Sequence, residues 1–167
     1  FELLEFDMES YSFHYGWRLE GSEETLKRLA GDKKQTHAYN ESGYKYFVLY
    51  DDLFTISNEG AIAINSNIKS IASNNITQLE IPSVYKGITV KSLKERALDN
   101  LFKLASITLP ETLTSIGAYA FNSCRALTSL DIPESVNSIN MTAFNACSNL
   151  TNVDFPEEFN WVGEEVS

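Results

Sequence analysis

Leu104-Ala-Ser-Ile107-Thr-Leu109-Pro110 returns as Leu127-Thr-Ser-Leu130-Asp-Ile132-Pro133, and again as Leu150-Thr-Asn-Val153-Asp-Phe155-Pro156. The step is the same each time (127 − 104 = 23 and 150 − 127 = 23). The rest of the unit follows, with Leu113, Ile116, Ala120, Phe121 and Cys124 reappearing as Val136, Ile139, Ala143, Phe144 and Cys147. A fixed period of this length marks a solenoid, whose small unit cannot bury its apolar face alone and must stack on its neighbours. Such arrays display surfaces far more often than they assemble reaction centres.

Within Leu127 to Pro133 the apolar positions are Leu127, Leu130 and Ile132, and the last pair alternates as a strand does. Ser129 and Asp131 therefore point away from the core. Pro133 lacks an N–H and ends the ladder. Val136 and Ile139 form a second extended stretch on the far side of the coil, and Ala143, Phe144 and Cys147 fit one tight helical turn with the Phe inside. About six inward side chains per coil, each worth about 1.5–3 kcal/mol when buried, hold the stack together. The period predicts short parallel strands in one sheet over 104–109, 127–132 and 150–155.

The pattern L-x-x-[IL]-x-[IL]-P-x-x-[LV]-x-x-I-x-x-x-A-F-x-x-C resembles the treponemal-type, BspA-like leucine-rich repeat. It is complete at 104–126 and 127–149, with Gly117 in the usual Ile-Gly step and Asn140 in its place one unit on. A truncated copy over 150–167 continues through Phe159, Val162 and Gly163. A divergent copy over 76–103 carries Ile76, Leu79, Ile81, Pro82, Val90, Leu93, Ala97, Leu98 and Leu101. Its longer step (104 − 76 = 28) places five extra residues in Ser83-Val-Tyr-Lys-Gly-Ile-Thr89.

Upstream, Leu53–Ile56 and Ala61–Ile64 flank Ser57-Asn-Glu-Gly60 and predict a β-hairpin that caps the first coil. Residues 65–75 read as a loop or an imperfect coil, so that 51–75 is cap and linker. Residues 1–50 carry no repeat and no recognised family motif, and read as a small α+β unit. Strands are expected at Phe1–Phe6, Tyr11–Leu19 and Tyr44–Tyr50, with a helix from Ser22 to Gly31 and a polar loop over Lys33–Gly43. The fold class is thus α+β, a short repeat solenoid with a hairpin cap and a small α+β head.

The formal charge of −10 argues against a nucleic-acid partner, whose binding rests on cations meeting phosphates. From Leu104 onward Arg125 is the only base, against Glu111, Asp131, Glu134, Asp154, Glu157, Glu158, Glu164 and Glu165. No apolar run is long enough to cross a membrane, so this segment predicts no membrane insertion. The chain starts at Phe1 and reads as processed or trimmed, which leaves export open.

The two cysteines hold equivalent repeat positions and read as buried, unpaired ladder residues. With no CxxC or Cys/His cluster, no metal is expected. His14 and His37 stand without a nucleophile or orienting acid, so no catalytic residue is assigned and no cofactor is called for. The aromatic row Tyr11, Phe13, Tyr15 and Trp17 reads as core rather than a sugar platform. Four Asn-x-Ser/Thr matches read as chance within repeat grammar.

The outward strand positions Gln78, Glu80, Ser106, Thr108, Ser129, Asp131, Asn152 and Asp154 are the candidate partner-binding face. The acidic columns Asp131/Asp154 and Glu111/Glu134/Glu157 serve either a basic partner or solubility. The family resemblance implies a non-enzymatic recognition or adhesion module of a bacterial surface or secreted protein, bound to a host or microbial surface protein. The competing reading is a structural scaffold that self-associates through its open C-terminal repeat, with the N-terminal unit carrying the function.

Overall fold

The computed structural model describes residues 17–19, 35–39, 45–49, 53–69, 72–73 and 76–163. The helix expected from Ser22 and the strand over Phe1–Phe6 lie outside them. Strands β1 (Trp17–Leu19), β2 (Gln35–Tyr39) and β3 (Lys45–Leu49) form an antiparallel sheet in the order β1-β3-β2. β2 falls where a polar loop was expected. Five residues of β2 lie opposite β3, from Gln35 on Leu49 to Tyr39 on Lys45. Pairing to a central strand overrides the weak strand preference of Gln, His and Ala.

From Leu53 the chain winds into coils, each contributing one strand to each of two faces. On one face lie β6 (Gln78–Glu80), β10 (Ser106–Thr108), β12 (Ser129–Asp131) and β14 (Asn152–Asp154). On the other lie β4 (Phe54–Ile56), β5 (Ala61–Ile64), β9 (Ser92–Leu93), β11 (Ser115–Ile116), β13 (Ser138–Asn140) and β15 (Asn160–Val162). This second face is a continuous six-stranded sheet, β15-β13-β11-β9-β5-β4, parallel throughout except for the β4–β5 hairpin. At the hairpin turn Gly60 (φ +88) presses on the next coil. A Cβ there would sit 2.2 Å from the Thr89 carbonyl oxygen.

The first face departs from the single sheet expected. β10 pairs with β6, and β12 with β14, but no ladder joins Thr108 to Asp131. The two coils are held instead by β11–β13 and by bonds such as Phe121 N–H to Ala143 O at 2.9 Å. Strands of three residues anchored from the opposite face tolerate such a gap.

The stretch expected as a helical turn is a chain of tight turns. Ala120 donates to Gly117, Asn122 to Tyr119 and Cys124 to Phe121, while Tyr119, Ser123 and Ala146 hold positive φ. Between these turn bonds, Phe121 and Ser123 donate to Ala143 and Asn145 of the next coil. A helix would use those N–H groups internally and leave the coils unlinked.

The five extra residues form a second hairpin, β7 (Val84–Tyr85) with β8 (Ile88–Thr89), turned by Lys86 and Gly87 at positive φ. Two consecutive left-handed residues give the turn twist that suits a two-residue hairpin loop.

Between the faces runs one core. Its columns include Leu79-Leu130, Val90-Leu113-Val136 and Leu93-Ile116-Ile139, all buried. Phe121 is fully buried and stacks on Phe144 (5.4 Å, 21°). Phe144, Cys147 and Leu150 are only partly buried, because no described coil lies over them. The last coil is also one residue short. Trp161, not Val162, lies opposite Ile139, and Val162, not Gly163, lies opposite Asn140.

Candidate functional site

All eight outward strand residues singled out from the sequence are exposed. The alternation responsible is visible in β12, where Leu130 is buried between exposed Ser129 and Asp131. Register brings them together in two groups. Gln78 lies opposite Ser106 and Glu80 opposite Thr108, while Ser129 lies opposite Asn152 and Asp131 opposite Asp154. The interrupted ladder between β10 and β12 separates the groups.

Adjacent parallel strands lie about 4.8 Å apart, so the paired Asp131 and Asp154 carboxylates repel by roughly 1 kcal/mol in a water-like dielectric. They stay tolerable because water surrounds both. The parallel glutamate column has a structural use in one member, since a Glu134 carboxylate oxygen accepts the Glu157 N–H at 3.1 Å.

The cations lie elsewhere. Lys69 and Arg96 both meet Asp99, and the Arg96 guanidinium covers the Tyr119 ring at 4.6 Å. Arg125 covers Phe102, one repeat upstream, at 5.3 Å. Asp99 heads a column continued by Asn122 and Asn145, whose amides bond to each other at 2.8 Å. These side chains join coil to coil.

The cysteines do the same from inside. Each thiol donates to a backbone carbonyl of the preceding coil, Cys124 to Leu98 O (3.2 Å) and Cys147 to Phe121 O (2.9 Å). Burial pushes the Cys124 thiol up to about 12, with the neighbouring Cys147 adding to the shift, and burial raises Cys147 as well. Neither is poised as a nucleophile, because the thiolate is the reactive form.

Among the described residues no group of three His, Cys, Asp or Glu is gathered that could hold a metal ion. The His37 backbone lies in β2, and His14 lies outside the described residues. No described helix is long and apolar enough to cross a membrane.

The sequence reading placed Phe155 and Phe159 in the repeat register but gave Trp161 no role. These replace the aliphatic residues of inner coils (Ile132, Val136 and Ile139) and pack on one another. Phe155 and Phe159 stack at 5.2 Å, and Trp161 meets both edge-on at 5.7 and 5.2 Å. The change from aliphatic to aromatic in successive columns was the signal available.

Residues 69–166 match the sequence model of a family described as BspA type Leucine rich repeat region (6 copies). Among solved structures, the chain resembles a leucine-rich repeat protein from Bacteroides capillosus at 22% identity and TM-score 0.43. That match covers 66% of this chain and 93% of that one. It also resembles a leucine rich cell surface protein from Faecalibacterium prausnitzii (18% identity, TM-score 0.34), covering 67% of this chain and 38% of that one. A third is a leucine rich repeat protein from T. pallidum (17% identity, TM-score 0.31), covering 65% of this chain and 81% of that one. No curated protein matches the chain.

Proposed function

We propose, from the premise that this chain belongs to the BspA-type leucine-rich repeat family, that it is a non-enzymatic recognition module of a bacterial surface or secreted protein. It binds a protein partner through the outward side chains of β6, β10, β12 and β14. One observation carries this reading. The side chains at alternate strand positions, Gln78, Glu80, Ser106, Thr108, Ser129, Asp131, Asn152 and Asp154, are all exposed and lie in register across paired strands.

The chemistry of that face selects its partner. It offers hydroxyls, amides and carboxylates and no cation, so a basic or amide-rich surface on a host or microbial protein complements it. Binding of this kind weakens with salt, because exposed charges are screened within about 8–10 Å at physiological ionic strength. Affinity from a few repeats is modest, and avidity from many copies on a cell surface raises it.

The test reverses Asp131 and Asp154 to Lys together and measures binding to whole host cells and to a panel of matrix proteins. Loss of binding with an unchanged melting temperature supports the face. Undiminished binding by the folded double variant transfers the function to residues 1–50.

A further inference from the structure

The strand face and the opposite sheet join the same two coils differently. Between the coil of Leu104 and the coil of Leu127 the opposite sheet is complete, with Ser115 on Ser138 and Ile116 on Ile139. Asn137 N–H donates to Thr114 O (2.9 Å), Phe121 N–H to Ala143 O (2.9 Å) and Ser123 N–H to Asn145 O (3.0 Å). The Asn122 and Asn145 amides add a side-chain link at 2.8 Å. On the strand face no ladder joins these coils. They are tied along one side and unbonded along the other.

The backbone of this seam is already turned toward the bonds it lacks. In β10, Ser106 N–H donates to Thr77 O and Thr108 O accepts from Ile81 N–H, so both residues face β6. Alternation turns the N–H and C=O of Ile107 toward β12. In β12, Thr128 O accepts from Asn152 N–H, and Ile132 N–H donates to Asp154 O. Leu130 therefore faces β14, and the N–H and C=O groups of Ser129 and Asp131 face β10. The seam-facing groups of Ile107, Ser129 and Asp131 have no partner among the described residues. The repeat sets Leu130 one coil on from Ile107. In that parallel register Ile107 N–H would reach Ser129 O, and Asp131 N–H would reach Ile107 O, with every side chain keeping its face.

Burial marks the same line. Ile107 is only partly buried, whereas its column neighbours Leu79 and Leu130 are 6% and 2% exposed. A described coil lies on either side of Ile107, so solvent reaches it through the seam. Charge lies on both leaves as well. Glu80 stands on the β6–β10 leaf, Asp131 and Asp154 stand on the β12–β14 leaf, and no outward side chain of these strands is a cation. Like charges oppose closing, and cations placed over both leaves reverse that sign.

We propose that the seam between β10 and β12 is a hinge in the recognition face, open in the free chain and closed into one four-stranded sheet by a protein partner that sets Lys or Arg against both leaves. Closure makes the cross-seam bonds and covers Ile107, with the β11–β13 side as pivot. A partner that meets both leaves binds the closed form more tightly and shifts the population toward it. Closure by a partner rests on the recognition reading above, whereas the hinge does not.

The whole chain is followed by amide NMR, alone and with hexalysine amide as probe, against a hexaglutamate control. In the free chain the amides of Ile107, Ser129 and Asp131 should exchange with solvent at least about tenfold faster than those of Ile81, Ile132 and Asn137, whose bonds are made. The seam amides should also show relaxation dispersion on the microsecond-to-millisecond scale, while Ile116 and Asn137 at the pivot should not. Saturating hexalysine should remove that dispersion and slow seam exchange by about tenfold, and hexaglutamate should do neither. Seam amides as protected as Ile81 and Ile132 would overturn the proposal. So would a seam without dispersion, since the gap would then be fixed. Hexalysine that shifts Glu80, Asp131 and Asp154 yet leaves the seam amides fast would overturn closure by a partner. Absence of hexalysine binding beside a fast, dispersive seam would remove the recognition reading and its closure together, and would leave the hinge standing.

Discussion

Phe121 and Phe144 occupy one column two coils deep, yet their burial differs, and that difference sets a measurable asymmetry. Phe121 is fully buried and packed from both sides, whereas Phe144 is partly exposed. Phe121→Ala removes a large side chain from a site that cannot collapse, because the coils above and below are fixed by backbone bonds. The expected cost is about 3–5 kcal/mol. Phe144→Ala forfeits roughly half of a Phe transfer energy, about 0.8–1.5 kcal/mol, because water already reaches part of the ring. The rings stack at 5.4 Å and 21°, so the double variant should be less unstable than the sum of the singles. The shortfall should be about 0.5–1.5 kcal/mol.

The assay is urea unfolding with the slope held common, so that differences in midpoint report stability. In heating experiments Phe121→Ala should lower the midpoint by about 6–20 °C, at roughly 2–4 °C per kcal/mol for a chain of this size. Equal costs for the two single variants would place both rings at the same depth and refute the column as described. Strict additivity would refute the stacking.

Two further outcomes follow from the coil contacts. Gly117→Ala puts a Cβ 2.8 Å from Leu93 O and 2.9 Å from Glu95 N, so neighbouring backbones must part. The overpacking cost of about 1–3 kcal/mol should outweigh the roughly 0.4–1 kcal/mol gained from a stiffer unfolded chain, and a midpoint at or above that of the parent would contradict it. The Cys124 thiol, raised from an ordinary 9.0 to about 12, stays neutral in the fold after it ionises in the unfolded chain. Its contribution is therefore full below about pH 9 and is lost as pH rises toward about 12. The stability difference between parent and Cys124→Ala should shift in that alkaline window, and a difference independent of pH would count against the burial.

The repeat was legible because each core column restates itself. Leu127, Ile132, Val136 and Ile139 are buried where Leu104, Leu109, Leu113 and Ile116 are buried one coil before. The eight outward residues were legible for the complementary reason, since strand alternation fixes the outside once the inside is known. Features that occur only once were not legible. β2 owes its existence to β3, because Gln35, His37 and Ala38 have little strand preference of their own and Thr36 and Tyr39 do not suffice without the pairing. The gap between β10 and β12 leaves no mark in either strand, because backbone bonds between coils are not encoded by side-chain pattern.

The one-residue slip in the last coil shows most plainly where periodicity stops deciding. Counting by the repeat puts Val162 beneath Ile139, and Val is an acceptable core residue there. Trp161 is apolar too, so either register offers an inward side chain, and a slip of one exchanges which face each residue takes. Downstream markers would have arbitrated, but Val166 and Ser167 stand where Ala143 and Phe144 predict Ala and Phe. Energy decides instead. The shorter register lets Trp161 meet Phe155 and Phe159 edge-on while those two stack. Each aromatic contact adds about 0.5–1.5 kcal/mol beyond the area it buries, more than a half-exposed Val162 would recover in the longer register. The same choice sets Trp161, rather than Val162, opposite Ile139, so the aromatic substitutions in the last coil determine its register against β13.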